Sequence, residues 1–307
     1  MAKLDFTTIN SHPLARLSEI LAIARELKAA HRRGERPKRL PGKVLILLFE
    51  KPSLRTRLSF EVAMTHLGGS AFYVRGEEVQ LGKRESVEDA ARVFSSYADA
   101  IVARTFEHDT IERLACHATI PVINGLSDDL HPCQAMADIM TIEETLGSLN
   151  ERTVVFVGDG NNVARSLAVA CAKFGLRFIL ATPAQYRFDA EFEAMLRKNC
   201  PSAQLEQISE PAVAVRDADV IYADTFTSMG QEGERARREQ AFVTYQVNSE
   251  LLVKCSKKAI VMHCLPAHRG VEITDEVMDG PQSVIFQQAE NRLHFQKGLL
   301  AYLLDTA

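Results

Sequence analysis

The six residues Val44 to Phe49, VLILLF, are apolar without interruption and of strand length, as expected of a strand buried on both faces inside a parallel sheet. Past Lys51 and Pro52 the period changes. Leu58 with Val62, and Ala63 with Leu67, recur at helical spacing, so the turn Ser53-Leu54-Arg55-Thr56-Arg57 joins the C-terminal end of a strand to the N-terminus of a helix. The first turn of a helix carries unpaired N–H groups and the positive end of the macrodipole, which together favour a phosphate or carboxylate. Ser53 and Thr56 supply hydroxyls that cap those donors or meet an anion. Arg55 and Arg57 bring planar forks suited to phosphate.

A chain of 307 residues, 46% hydrophobic and 25% charged, has room for two ordinary globular domains. A net charge of -4 excludes the face-wide basic excess of a nucleic-acid binder, so any anion site is local. Six cysteines (Cys116, Cys133, Cys171, Cys200, Cys255, Cys264) lie scattered without a C-x-x-C pair, and the N-terminal stretch MAKLDFTTINSHPLARL has no apolar signal core. Both predict free thiols in a reducing cytoplasmic setting. No apolar run approaches the roughly 20 residues that a membrane span needs.

In chain order, a helix is predicted from Ser18 to Ala30, with Ser18 as its cap. The basic link HRRGERPKRLPGK reads as a solvated loop leading to the first strand. Gly68-Gly69 ends the helix after the anion turn, and Ser70 to Val74 reads as the second strand. The polar loop RGEEVQLGKRES is long for a compact domain, as lids and intersubunit contacts often are. A helix over Val87–Tyr97 follows it. Ala98 to Val102 is the third strand, with Arg104 just past its end. Pro121 to Leu126 is the fourth, followed by SDDLHPCQ and a helix through Ala135, Ile139 and Ile142. In an open parallel sheet, ligands gather at the carboxyl ends of the strands. SLRTR, Arg104 and HPCQ all fall there, bringing together guanidinium groups, the His131 imidazole and the Gln134 amide. That set suits a phosphate carrying a carbonyl group.

The alternation restarts after TLGSLNER, a domain junction. Thr153 to Val157 is a strand, GDGNN a tight turn, and Val163 to Phe174 a helix ending at Gly175. The turn lacks the third glycine of a dinucleotide fingerprint, so no nucleotide cofactor is assigned. Further strands are predicted at Arg177–Ala181, Asp219–Ala223, Ala259–His263 and Ser283–Phe286. Two of them end in polar segments, Asp224 with TFTSMGQEGE and His263-Cys264 with LPAHRG. The charged stretch from Gly230 to Gln240 reads as a flexible flap, and a final amphipathic helix runs from about Asn291 to Leu304.

His131-x-Cys133 and His263-Cys264 offer soft metal ligands, but an adjacent His-Cys pair is poor geometry for a structural zinc site, and no metal is assigned. Cys264 as a thiolate nucleophile oriented by Asp224 competes with the ordinary role of a buried thiol. Asp224 is better matched to an amine. A primary alkyl amine titrates like lysine, near pH ~10.4, so a site that uses it as a nucleophile must align it and favour its neutral form.

FEKPSLRTR, HPCQ, DTFTSMG and HCLPAHRG, followed by DGPQSVIFQQAENRLHFQKGLL, resemble the anabolic-type ornithine carbamoyltransferases in order and spacing. The resemblance runs from about Phe49 to the C-terminus. It implies two parallel-sheet α/β domains with the active site in the cleft between them. Residues 1–147 would bind carbamoyl phosphate and residues 148–289 ornithine, with the helix of residues 290–307 packing back on the first domain. Ser53, Leu54, Arg55 and Thr56 would hold the phosphate, and Arg104, His131, Pro132, Cys133 and Gln134 the carbamoyl end. Gln80 would reach the carbamoyl phosphate of an adjacent subunit in a homotrimer. Asn162, Asp224, Ser228 and Met229 would bind ornithine, with Cys264 and Leu265 beside the reacting amine and Arg292 beside the carbamoyl oxygen. No cofactor is implied.

Two positions depart from the family pattern: Leu54 stands where threonine is more frequent, and Phe226 where tryptophan is. Neither removes a charge from the expected reaction centre. Competing readings are a carbamoyltransferase for aspartate, putrescine or an acylated ornithine, a noncatalytic binding homologue, and a nucleotide-binding oxidoreductase. The SMG and HCLPA segments favour ornithine. The residues alone do not separate a chain that builds arginine from one that degrades citrulline, because both directions use the same groups.

Overall fold

The computed structural model describes residues 3–228 and 230–305. The chain divides into two compact units: one runs up to Ala137 and resumes at Asn291, and the other spans Asp138–Glu290. Each boundary falls inside a helix, the first in Pro132–Leu146 and the second in Ile285–Leu304.

The first unit is built on a parallel sheet of β1 (Val44–Phe49), β2 (Ser70–Arg75), β3 (Ala100–Arg104) and β4 (Val122–Leu126), in the order β2-β1-β3-β4. The uninterrupted VLILLF run is explained by its inner place, since Leu45, Leu47 and Leu48 are wholly buried. β2, at the edge, alternates instead, and Phe72 stands 60% exposed. The helix Leu54–Leu67 ends at Gly68, whose left-handed φ of 93° closes the terminal turn. Gly298 of the C-terminal helix lies so close to the Leu14–Arg32 helix that an added Cβ would meet Ala24 Cβ and Ile20 O at 2.7 Å each.

The second unit holds β5 (Thr153–Val157), β6 (Arg177–Ala181), β7 (Gln204–Ile208), β8 (Val220–Ala223) and β9 (Ile260–His263), all parallel, in the order β7-β6-β5-β8-β9. In each sheet the chain starts inside, builds to one edge, then returns to build the other. This creates a topological switch point between β1 and β3 and another between β5 and β8, and crevices open at the carboxyl ends of such pairs. At the amino ends the two sheets use one device. Asp99, just before β3, accepts the Val44 N–H of β1 and the Lys43 ammonium, each at 2.8 Å. Asp219, just before β8, likewise accepts the Thr153 N–H of β5 at 2.9 Å and Arg152 Nη1 at 2.8 Å.

Several expectations are corrected. Ser283–Phe286 is not a strand: Ser283 makes only an isolated bridge to Val261, and the C-terminal helix begins at Ile285. The apolar triplet there serves the start of a helix whose interior is buried on most sides, which periodicity cannot tell from a strand. The first helix begins at Leu14 after Pro13, so Ser18 lies within it and is not its cap. Arg104 is the last residue of β3 and does not follow it. β7 escaped sequence reading because QLEQI is a polar edge strand. Among the described residues no helix is long and apolar enough to cross a membrane.

Candidate active site

The turn after β1 is built as the start of a helix. Ser53 is extended and caps it: its Oγ accepts the Thr56 N–H at 3.3 Å and donates to Thr56 Oγ1 at 3.1 Å. Arg292, from the C-terminal helix, donates from Nη2 to the same Thr56 Oγ1 at 2.7 Å. Arg55, half-buried, has an Nε that meets no hydrogen-bond partner among the described residues. Arg57 is otherwise engaged, paired with Glu61 at 2.8 Å and lying over the Tyr73 ring. Leu54 is 72% exposed, so what that position can offer an anion is its backbone N–H.

Arg55, Arg104, Arg292 and His131 feel one another's charge. Burial, then Arg292 and Arg55, push Arg104 down to about 10, which leaves it charged at neutral pH. Burial, then Arg292, Arg104 and Arg55, hold His131 well below the ordinary imidazole range, so it is a neutral ring. The result is a mutually repelling set of guanidinium groups beside a neutral imidazole, at the positive end of a helix. An anion relieves that repulsion, and a neutral imidazole N–H still donates to a carbonyl oxygen. Gln134 is buried one turn into the Pro132–Leu146 helix, its N–H on the His131 carbonyl at 3.2 Å. Pro132 and Cys133 are buried in the same turn. The Cys133 thiol donates to the Asn124 carbonyl, and burial pushes it up to about 12, so the thiol is a protonated core group. Gln80 is exposed with a left-handed φ of 51°, and its Nε2 donates to the Glu77 carbonyl at 3.3 Å.

In the second unit, β5 and β8 bring the GDGNN turn beside Asp224. The Asp224 carboxylate, 6% exposed, takes three donors. Oδ2 accepts Asn161 Nδ2 at 2.8 Å, while Oδ1 accepts the Thr225 N–H at 2.8 Å and the Cys264 thiol at 3.0 Å. Asn161 is itself fixed, because its Oδ1 caps the Asn162–Phe174 helix by accepting the Val163 and Ala164 N–H groups. Asn162, the residue expected to hold ornithine, opens that helix as a half-exposed neighbour. Asn161 was missed, although an asparagine one residue before a helix is the ordinary cap signal.

Cys264 and Leu265 follow β9 directly. His263 Nδ1 accepts the Leu265 N–H at 2.9 Å, so the ring proton sits on Nε2 and faces Glu272 Oε1 at 3.2 Å. Glu272 Oε1 also accepts the His268 N–H at 2.5 Å. Leu265 has φ 58°, and the Leu265–Pro266 peptide is cis. Asp224, His263 and Cys264 have ligand atoms within 4.8 Å of one another. Both ring nitrogens of His263 are already taken up, however, which leaves that trio without an imidazole lone pair for a metal.

Ser228 donates its N–H to Gln231 Oε1 at 3.2 Å; Met229 lies outside the described residues. Phe226 is buried against Phe242, rings stacked at 4.7 Å and 8°, so the phenyl ring in the tryptophan position has a fitted partner. The stretch expected to be a flexible flap carries the helix Arg235–Ala241, and Arg238 within it is buried, with Nη1 on Asp159 Oδ2 at 2.6 Å and on the Phe226 carbonyl at 3.2 Å. Residues 230–240 are charged yet not wholly solvated, because one guanidinium has a buried carboxylate to meet. A cavity of about 270 Å³ is bordered by Asp224, Thr225, Phe226, Ser228, Pro266 and His268.

Residues 4–144 match the family model for the carbamoyl-phosphate-binding domain of aspartate/ornithine carbamoyltransferases, and residues 150–303 match that for their aspartate/ornithine-binding domain. The chain is 46% identical over 306 residues to the anabolic ornithine carbamoyltransferase of Pyrococcus furiosus, covering 99% of this chain and 97% of that protein. It is 50% identical over 288 residues to the ornithine carbamoyltransferase of Archaeoglobus fulgidus, covering 94% and 93%. Among solved structures, ornithine carbamoyltransferase from P. furiosus superposes with a TM-score of 0.96 over 100% of this chain and 98% of that one, at 46% identity. The anabolic enzyme of Campylobacter jejuni does so at 0.91 over 97% and 98%, with 33% identity. Two parallel-sheet units, the capped helix start after β1 and full-length matches of this kind agree: the chain belongs to the aspartate/ornithine carbamoyltransferase family, among the ornithine carbamoyltransferases.

Proposed function

We propose that this transferase moves the carbamoyl group of carbamoyl phosphate to the δ-amino group of L-ornithine, giving L-citrulline and phosphate in the direction of arginine synthesis. The observation that carries the reading is the group of Arg55, Arg104 and Arg292 around the neutral His131, at the start of a helix already capped by Ser53. A phosphate dianion fits that field. A carbonyl oxygen beside it meets N–H donors that need no proton from solvent.

In the proposed assignment Ser53, Leu54, Arg55 and Thr56 hold the phosphate, position 54 through its backbone. Arg104, His131 and Gln134 hold the carbamoyl group with the backbone of Pro132 and Cys133, and Arg292 meets the carbamoyl oxygen. Asn162, Asp224, Ser228 and Met229 bind ornithine, and Cys264 and Leu265 flank the reacting amine. The neutral δ-amine attacks the carbonyl carbon, a C–N bond forms, the C–O bond to phosphate breaks, and the leaving phosphate takes the amine's proton. No strong protein base is required. Arg55, Arg104, His131 and Arg292 stabilise the charge that develops on oxygen, and one such preorganised donor contributes on the order of 3 kcal/mol.

The proposal includes a carbamoyl-phosphate domain (1–147, with 290–307), an ornithine domain (148–289), a cytoplasmic homotrimer, and a Gln80 loop shared between subunits. The exposure of Gln80 supports the last point, since the side chain lies at the surface of its loop. The experiment is citrulline formation by purified protein from carbamoyl phosphate offered ornithine, aspartate, putrescine and acetylornithine in parallel. Turnover with ornithine alone is expected. Preference for another amine would overturn the ornithine half of the assignment, and no turnover with any would favour a noncatalytic homologue.

A further inference from the structure

Behind Asp224 and Cys264 lies a set of buried polar groups that the proposed chemistry does not use. Asp138, Tyr222 and Gln288 are all wholly buried. The Tyr222 hydroxyl donates to Asp138 Oδ2 at 3.1 Å, and Gln288 Nε2 donates to Asp138 Oδ1 at 2.7 Å and to the Tyr222 hydroxyl oxygen at 3.0 Å. The other end of the same amide, Gln288 Oε1, accepts the backbone N–H of His263 at 2.8 Å. This arrangement fixes the amide's orientation chemically. The end facing a carboxylate and a hydroxyl oxygen must be the NH₂, and the end facing an N–H must be the oxygen. The Gln288 amide cannot turn over without setting its NH₂ against the His263 N–H.

Each anchor sits within two residues of the ornithine-side chemistry. Tyr222 precedes Asp224 by two positions on β8, and its ring stacks on Phe156 at 5.1 Å, so the phenol has little freedom to shift. His263, whose N–H is held, directly precedes Cys264 at the end of β9. Parallel strands β8 and β9 are paired through Ala223 and His263, and beyond that pair no ladder bond governs how the two chain ends diverge. There the two segments are held by the Cys264 thiol on Asp224 Oδ1 at 3.0 Å and, behind it, by this side-chain set. Burial in a low-dielectric place makes its hydrogen bonds strong when all are satisfied and costly when one is missing.

We propose that Asp138, Tyr222 and Gln288 are positioning residues for the ornithine half of the site: they fix the separation at which Asp224 and the Cys264-Leu265 segment present their groups to the amine. The proposal rests on the assignment of those two segments to ornithine. It adds three residues that touch no substrate, and it accounts for a glutamine and a tyrosine buried where apolar side chains would otherwise pack.

The test compares Gln288→Leu and Tyr222→Phe with the unmodified protein, measuring the specificity constant for ornithine, that for carbamoyl phosphate, and the melting temperature. Tyr222→Phe keeps the ring on Phe156 and serves as the variant that folds if Gln288→Leu does not. The expected result is a fall of about tenfold or more in kcat/KM for ornithine in either variant, with kcat/KM for carbamoyl phosphate within about twofold of the unmodified value. The double variant is expected to lose no more than the worse single one, because the groups act as one set. A residue serving only the fold would lower the melting temperature and leave the ratio of the two constants unchanged. An unchanged ratio, or equal loss in both constants, overturns the proposal. Absence of ornithine turnover in the unmodified protein would instead overturn the substrate assignment itself.

Discussion

Replacing Asp224 with asparagine separates charge from shape at the carboxylate proposed to meet ornithine. The three donors it accepts, from Asn161, Thr225 and Cys264, leave no harmless orientation for an amide. With NH₂ toward Asn161, two donors face each other. Asn161 cannot turn to accommodate this without withdrawing its Oδ1 from the helix cap. With NH₂ toward Thr225, that N–H and the thiol lose their acceptor. Either way at least one buried donor goes unsatisfied, each at a cost of about 1–3 kcal/mol to the second unit. Under the proposed assignment the variant also loses the charge-assisted hydrogen bond to ornithine's ammonium group, about 1.5–3 kcal/mol, or roughly 10- to 100-fold in kcat/KM for ornithine. Initial rates of citrulline formation at saturating carbamoyl phosphate give that constant, and calorimetry gives carbamoyl phosphate affinity, expected to be unchanged. A folded Asp224→Asn protein within about threefold of the parent for ornithine would refute the reasoning.

Arg55→Ala should abolish carbamoyl phosphate binding by calorimetry while circular dichroism shows the fold intact, since the side chain adds nothing to the core; retained affinity would remove Arg55 from the phosphate site. Gly298→Ala should destabilise the first unit by about 2 kcal/mol, because overpacking against Ile20 O and Ala24 N at 2.7 and 2.8 Å outweighs the roughly 1 kcal/mol of helix propensity gained; a denaturation midpoint equal to or above the parent's would contradict this. His66 clusters with His31, whose ring lies 5.2 Å away, and burial followed by the Lys297 and Arg36 charges pushes it down to about 4. A base with a lowered folded pKa takes up its proton more readily when unfolded. Its contribution is therefore intact above about pH 6.5 and lost as pH falls toward 4. Urea midpoints measured across that window should slope downward on acidification, and His66→Gln should flatten the slope; an unaltered slope would show the imidazole to be indifferent.

Much of the first unit was legible in the sequence because its signals are of different kinds. VLILLF announces a doubly buried strand, SLRTR announces a capped helix start, and Gly68 a helix end. The HPCQ and HCLPA segments fall directly after polar turns or strand ends, where parallel sheets expose them. What escaped notice depends on long-range partners. Asn161 is the residue touching Asp224, yet Asn162 beside it carries the same chemistry, and only the helix cap tells them apart. Ser283–Phe286 looked like a strand because an apolar triplet has no period. The roles of Asp138, Tyr222 and Gln288 are invisible in one dimension, since they come from three separate segments of the chain.

The two aspartates at the amino ends of the switch strands have a consequence for how this protein can change. Asp99 with Lys43, and Asp219 with Arg152, lock the starts of β1 and β5, at the rim opposite the carboxyl ends where ligands gather. Durability is thus written on one rim of each sheet and chemistry on the other. A lineage adapting to heat or cold can strengthen or loosen these lower fasteners without touching the residues proposed to choose the amine. An engineer has the same freedom.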